Sequence, residues 1–179
     1  MNNQLVIYTD GSCSGNPGPG GYASIFLFPD GKVRELYGHV PTIVEKYRSD
    51  ESVDQTCTNN RAELYAILMA VYHLKDLIEA LPDIGSVLIY SDSKISVQTF
   101  NEWLPNWKKR NWKKSDGKPI LNLLLIQVID SYITYIRSSG VTINFQHVYG
   151  HSAIQWNVQA DKLANLGREG TEVINSRDY

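Results

Sequence analysis

Cysteine is scarce in this 179-residue chain, which has only Cys13 and Cys57. Neither belongs to a C-x-x-C pair or to a Cys/His cluster with zinc spacing, so the expectation is two reduced thiols in loops. No apolar run approaches the ~18 residues that a membrane span needs. The first ten residues, MNNQLVIYTD, lack a basic region, a long apolar stretch and a small-residue cleavage site, which argues against a secretory signal and for the cytoplasm. A dominant charge is missing too: 17 basic and 19 acidic residues leave a net charge of −2. The surface as a whole is therefore no trap for polyanions, and any nucleic-acid contact has to come from a local patch. A G-x-x-x-x-G-K-[ST] phosphate loop is absent, which argues against nucleoside triphosphate hydrolysis. Internal repeats and low-complexity tracts are absent as well, so the segments read as parts of one fold.

What is present is ordinary for a globular domain, with 42% hydrophobic and 20% charged residues, in a chain long enough to bury a proper core. Residues 4–9, 22–28 (YASIFLF) and 32–40 are short apolar runs, the last two joined at Pro29-Asp30-Gly31 in a hairpin. Leu64, Ile67, Leu68, Val71, Leu74, Ile78 and Leu81 recur at helical spacing and end before Pro82. Residues 86–90 (SVLIY) and 141–148 (VTINFQHV) read as a fourth and fifth strand, separated by helical segments near 94–103 and 120–138. A last helix, roughly 155–166, stops at Gly167 as its C-terminal cap. The order βββαβα, basic insert, α, β, α predicts an α/β fold with strands one and four parallel, since a strand, crossover and strand form a right-handed unit. Asp10 ends the first of these strands and Asp92 (in IYSDS) the other, so their carboxylates are expected to meet at the edge where open sheets place ligands.

Taken singly, an acid at a strand end is more often a cap or turn residue than a catalyst. A pair within a few Å repels unless a proton or cation lies between, and Mg²⁺ takes oxygen ligands of this kind. Glu63, in TNNRAEL, has two readings of equal weight: a ligand, or the partner of Asn60 in a capping box. Asp161 lies in the last helix with apolar neighbours, as a ligand or a solvated acid. His151, in YGHS, is a polar loop residue if read alone. His39, His73 and His147 carry no functional reading.

Together, the segments YTDGSCSGNPGPGGYA, TNNRAEL, YSDS, WLPNWKKRNWKKSDGKP and VYGHS, the last followed by Asp161, resemble a type 1 ribonuclease H of the bacterial form, in that family's order. The resemblance implies a ribonuclease H-like fold: a five-stranded mixed sheet, its first three strands antiparallel and strands 1, 4 and 5 parallel, flanked by helices. It implies a single catalytic domain over 1–167, with 168–179, which is polar, expected as a disordered tail. By resemblance Asp10, Glu63, Asp92 and Asp161 would be catalytic ligands for two Mg²⁺ ions, with Mn²⁺ as a substitute, and His151 would be the mobile histidine that handles protons or product release. The implied substrate is an RNA/DNA hybrid cut in its RNA strand to leave 5′-phosphate and 3′-hydroxyl ends. No membrane and no obligate protein partner are implied, and a monomer is expected.

Glycines after Asp10 are expected to let backbone approach nucleic acid. Asn16 and Asn59, with Asn60, resemble positions that read 2′-hydroxyls in the minor groove. Residues 103–118 hold three tryptophans and six basic residues against Asp116 alone. Aromatic and cationic groups interleaved in this way (Trp103, Trp107, Lys108, Lys109, Arg110, Trp112) grip a nucleic-acid backbone, and the segment resembles the family's basic protrusion for the DNA strand. Three features depart from the bacterial pattern: a long acidic connection over 40–57, Lys94 where glutamine is common, and Ile126 where tryptophan is common. They bear on substrate contacts rather than on cleavage. A transposase or integrase would need targeting segments outside the core, and a non-catalytic relic would be expected to have lost one of the acids.

Overall fold

The computed structural model describes residues 3–15, 17–41, 57–149 and 154–170, and the backbone of 173–178. Strand β1 (Gln4–Cys13) alternates as a half-buried strand should: Leu5 and Ile7 are fully buried on one side, while Tyr8 is turned to the other face of the sheet. It pairs antiparallel with β2 (Gly20–Leu27), which pairs antiparallel with β3 (Lys32–His39). Helix α1 (Asn59–Ala80) crosses over to β4 (Ser86–Ser91), parallel to β1, and β5 (Thr142–His147) lies parallel to β4. The five expected strands thus stand in the order β5-β4-β1-β2-β3.

A sixth strand extends that sheet and corrects the expectation of a disordered tail. Val173–Asp178 forms β6, antiparallel to β3 from Lys32↔Asp178 to Tyr37↔Val173. Without it β3 would present a row of unpaired N–H and C=O groups, and a segment opening on two β-branched residues is suited to cover them.

Between β4 and β5 the chain is more broken than the periodicity suggests. Helix α2 (Lys94–Gln98) passes through a π-helical turn (Thr99–Trp103) into α3 (Leu104–Lys109), where Pro105 has no N–H to donate to the preceding turn. Helix α4 (Leu123–Ser138) follows, entered through Asn122 in the left-handed region at φ 56°. The last helix, α5 (Gln155–Arg168), runs past Gly167. That glycine is not the cap: a Cβ on it would strike the backbone of Gly38, so it is there for helix-to-strand contact. The left-handed position is Gly170, at φ 90°, whose N–H reaches Gly167 O at 3.0 Å.

The sheet is covered on both faces. Leu64, Ile67, Val71 and Leu74 of α1 and Ile129, Ile133 and Ile136 of α4 pack with Leu5, Ile7, Val87 and Ile89. On the opposite face Ala160, Leu163 and Ala164 of α5 pack with Ala23, Ile25 and Val33. Each large aliphatic side chain so buried contributes about 1.5–3 kcal/mol of transfer free energy. Small residues on α5 and β2 keep that second contact close. Among the described residues no helix is long and apolar enough to cross a membrane.

Candidate metal-binding active site

The parallel ladder between β1 and β4 ends at the Thr9↔Ser91 pair. Asp10, still paired with Ala23 of β2, and Asp92, the first residue after β4, come next on the two segments, so they stand side by side where the β1–β4 ladder ends. Cross-links hold the edge: Thr9 Oγ1 donates to Tyr90 O at 2.9 Å, Ser93 N donates to Ser91 Oγ at 3.1 Å, and His147 Nε2 lies 3.0 Å from Asp92 O. His147 thus supports the strand end that carries an acid. Sequence reasoning passed it over, although its place opposite Ser91 in the β4–β5 register is the signal that could have found it.

Glu63 reaches the same point from α1. The N-cap of α1 is Thr58, whose hydroxyl accepts from Arg61 N at 3.2 Å. Asn60 therefore lies inside the helix, and its capping box with Glu63 does not form. The carboxylate is released from any helix-end duty. What brings it to Asp10 is Gly11, where a Cβ would run into the backbone of Ala62 and Glu63. The glycine lets β1 press against the first turn of α1. Gly20 and Gly21 likewise admit Cys57 and the backbone of α5, so these three glycines serve packing within the protein.

One carboxylate oxygen from each of Asp10, Glu63 and Asp92 lies within 4.8 Å of the others. Asp10 is 4% exposed and Glu63 8%, and Glu63 Oε2 is buried with no hydrogen-bond partner. Such a cluster cannot hold all its negative charge unaided. Burial, then the charges of Asp92 and Asp161, push the Asp10 carboxyl up to about 8, against the pull of hydrogen bonds from Glu63 and the Gly11 N–H. Burial, then Asp10 and Asp92, push Glu63 well above the ordinary carboxylate range. A hard divalent cation would replace the proton that these shifts call for and would satisfy the orphaned oxygen. The donor set fits Mg²⁺.

Asp161 is not one of the three. It stands exposed on α5, near enough for its charge to act on Asp10. His151 and Asn16 lie outside the described residues, as does the connection over 42–56. Asn59 is exposed at the start of α1, while Asn60 has a buried Oδ1 without a partner.

The basic segment divides by contact. Trp107 and Trp112 pack against the main core, and Trp103 lies 5.7 Å from Trp107 between ring centroids. Lys108 Nζ is 2.5 Å from Asp130 Oδ2, whose side chain is only 12% exposed. These residues anchor the protrusion to α4. Lys109, Arg110 and Lys113 are exposed cations. Ile126, where the bacterial pattern has an aromatic ring, is a buried core residue.

The sequence model of the RNase H family matches residues 2–169. The ribonuclease H of Rickettsia akari is 38% identical over 178 residues, spanning 99% of both chains. Among solved structures, LC9-RNase H1, a type 1 RNase H with the type 2 active-site motif, superposes with a TM-score of 0.73 at 23% identity, covering 98% of this chain and 77% of that one. LC11-RNase H1 in complex with an RNA/DNA hybrid superposes with a TM-score of 0.61 at 21% identity, covering 92% and 96%. Both share the fold.

Proposed function

Because the chain belongs to the ribonuclease H family and is thus a nuclease acting on the RNA strand of RNA/DNA hybrids, we propose that it cuts by a two-metal-ion mechanism leaving 5′-phosphate and 3′-hydroxyl ends. The observation that carries this reading is the cluster of buried Asp10 and Glu63 with half-buried Asp92, in which one Glu63 oxygen is unpartnered. Asp10, Glu63, Asp92 and Asp161 would hold two Mg²⁺ ions, with Mn²⁺ as a substitute. Bound there, such ions supply a basic water-derived nucleophile and neutralise the departing 3′ oxygen.

The remaining steps fall to the chain itself. Asp10 and Glu63, held by Gly11 and by the end of the β1–β4 ladder, form a fixed pair of carboxyl groups whose charge a proton or a cation has to offset. His151 is assigned proton handling or product release, because an imidazole exchanges protons near neutral pH. Asn16, Asn59 and Asn60 are assigned to the minor groove and its 2′-hydroxyls. Lys109 and Arg110 are assigned to DNA-strand phosphates, with Trp103, Trp107, Lys108 and Trp112 shaping the protrusion that presents them. A fold neighbour bound to an RNA/DNA hybrid supports that choice of substrate. Action as a cytoplasmic monomer over a single catalytic domain is part of the same proposal.

The test is a comparison of labelled RNA/DNA, RNA/RNA and DNA/DNA duplexes incubated with the protein, with and without chelator. Cutting confined to the RNA strand of the hybrid and abolished by chelator is the expected result. Cleavage that survives exhaustive chelation, or that falls on DNA/DNA, would overturn the reading.

A further inference from the structure

The two cysteines, far apart in sequence, lie against each other. Cys13 is the last residue of β1, and its Sγ donates to Cys57 O at 2.9 Å and lies 3.6 Å from Gly18 O. Cys57 pairs with Gly18 in an isolated antiparallel bridge. Its side chain fills the space above Gly20, where a Cβ would meet Cys57 Cβ at 2.9 Å, and Gly20 is the residue directly opposite Cys13 in the β1–β2 ladder. Neither thiol sits in an ordinary loop. Both are free, Cys13 half-buried and Cys57 buried.

We propose that Cys13 and Cys57 form a redox-sensitive dithiol, a modification site that closes to an intramolecular disulfide in the presence of a low-molecular-weight disulfide such as oxidised glutathione. The half-exposed Cys13 is the sulfur that a solution oxidant can reach. Its thiolate attacks one sulfur of the small disulfide, breaking that S–S bond and releasing one small thiol, so that Cys13 carries a mixed disulfide. Cys57 then attacks the Cys13 sulfur, the protein S–S bond forms, and the second small thiol leaves. The two protons given up by the cysteines end on the two released thiols, and the small disulfide has been reduced by the two electrons that the cysteines lost. Burial, followed by the neighbouring Cys13, pushes the Cys57 thiol up to about 11, so closure is the slow step and quickens with rising pH.

The bond would join the end of β1, beyond Asp10, to the residue just before the Thr58 N-cap of α1, across a sequence separation of 44. The contact at Gly11 that brings Asp10 to Glu63 lies between the same two segments. Oxidation would thus lock the approach of β1 to α1 that builds the acid cluster. Closure of this bond shows in mass, thiol content and melting temperature, whichever nucleic acid is cut.

Intact protein is incubated with oxidised glutathione at pH 8, then analysed by mass spectrometry, thiol titration under denaturing conditions and thermal melting. The expected product is a monomer lighter by two hydrogens, with both thiols lost, a melting temperature higher by about 5–15 °C, and full reversal by dithiothreitol. Cys57→Ser should stop at a persistent glutathione adduct on Cys13. Cys13→Ser, altered at the half-exposed position, should stay unmodified. A wild-type protein that retains both thiols, keeps a glutathione adduct, or cross-links only between molecules overturns the proposal, as does a disulfide that leaves the melting temperature unchanged or lowers it.

Discussion

Ser12 Oγ donates to Asn165 Oδ1 at 2.6 Å and accepts from Arg168 Nη1 at 2.8 Å. Ser12 lies two residues beyond Asp10, on the same face of β1, and Asn165 lies one helical turn beyond Asp161, on the same face of α5. The bond therefore sets how far along β1 the exposed acid of α5 comes to rest. Ala164 and Arg168 also press their backbone onto Gly21, so the helix can slide little once that bond is made.

Asn165→Ala should accordingly weaken cation binding more than folding. A lost hydrogen bond of about 0.5–1.5 kcal/mol corresponds to a rise of roughly 2- to 12-fold in the Mg²⁺ concentration needed for half-maximal cleavage. Magnesium titrations of activity, with calorimetry of Mg²⁺ binding to the free protein, check it. An unchanged magnesium requirement would remove Asn165 from any part in placing Asp161.

Asp10→Asn should abolish Mg²⁺-dependent cutting of a hybrid while leaving hybrid binding intact. In chelator the same change should leave stability unaltered or raise it. The sign follows from the shift: Asp10 sits near 8 when folded, against an ordinary value of 3.8. A raised carboxyl contributes stability that is complete below its unfolded value and is lost as pH rises through its folded value. Chelated wild-type protein should therefore lose melting temperature from about pH 4 to pH 8 relative to Asp10→Asn, with a slope of at most about 1.4 kcal/mol per pH unit from this residue. Glu63 shifts in the same direction. Melting curves across that range, with and without Mg²⁺, test it, and Mg²⁺ should flatten the difference.

Gly11→Ala should be severely destabilising, by about 2–3 kcal/mol or more, because the new methyl group meets backbone of α1 that cannot rotate away. Gly85→Ala provides the contrast, since nothing lies within 4 Å of a Cβ there, and should stay within about 0.5 kcal/mol of wild type. Denaturant melts of the two variants decide whether the glycine after Asp10 is required by packing.

The cations of the protrusion should separate into two kinds. Lys108→Met leaves the mostly buried Asp130 carboxylate unpaired and should cost about 1–2 kcal/mol of stability, discounted for the exposure of the lysine. Lys109→Ala and Arg110→Ala should leave the melting temperature unchanged. Each should instead raise KM for the hybrid at constant kcat and lower the salt dependence of binding by about one ion. Equal loss of stability in all three variants would refute the division.

The first five strands, the parallel pairing of the first and fourth, and the long helix were all legible in the sequence, for a physical reason. Hydrophobic alternation and helical spacing are local, and a strand, helix and strand crossing in one hand brings the ends that carry Asp10 and Asp92 together. Which partner each polar group takes is not local. Thr58 rather than Asn60 caps α1, because the cap is set by where the chain turns out of the Gly18–Cys57 bridge. Lys108 differs from Lys109 only in the face of α3 that meets Asp130. Gly167 looks like a stop signal until β3 is seen beneath it, and 173–178 looks like a tail until the open edge of that strand is in view. The sequence by itself determined which chemical groups the protein owns and the order of its elements. Only the tertiary structure decided which groups are deprived of water and of partners, since burial and unpaired charge depend on segments that meet across the fold.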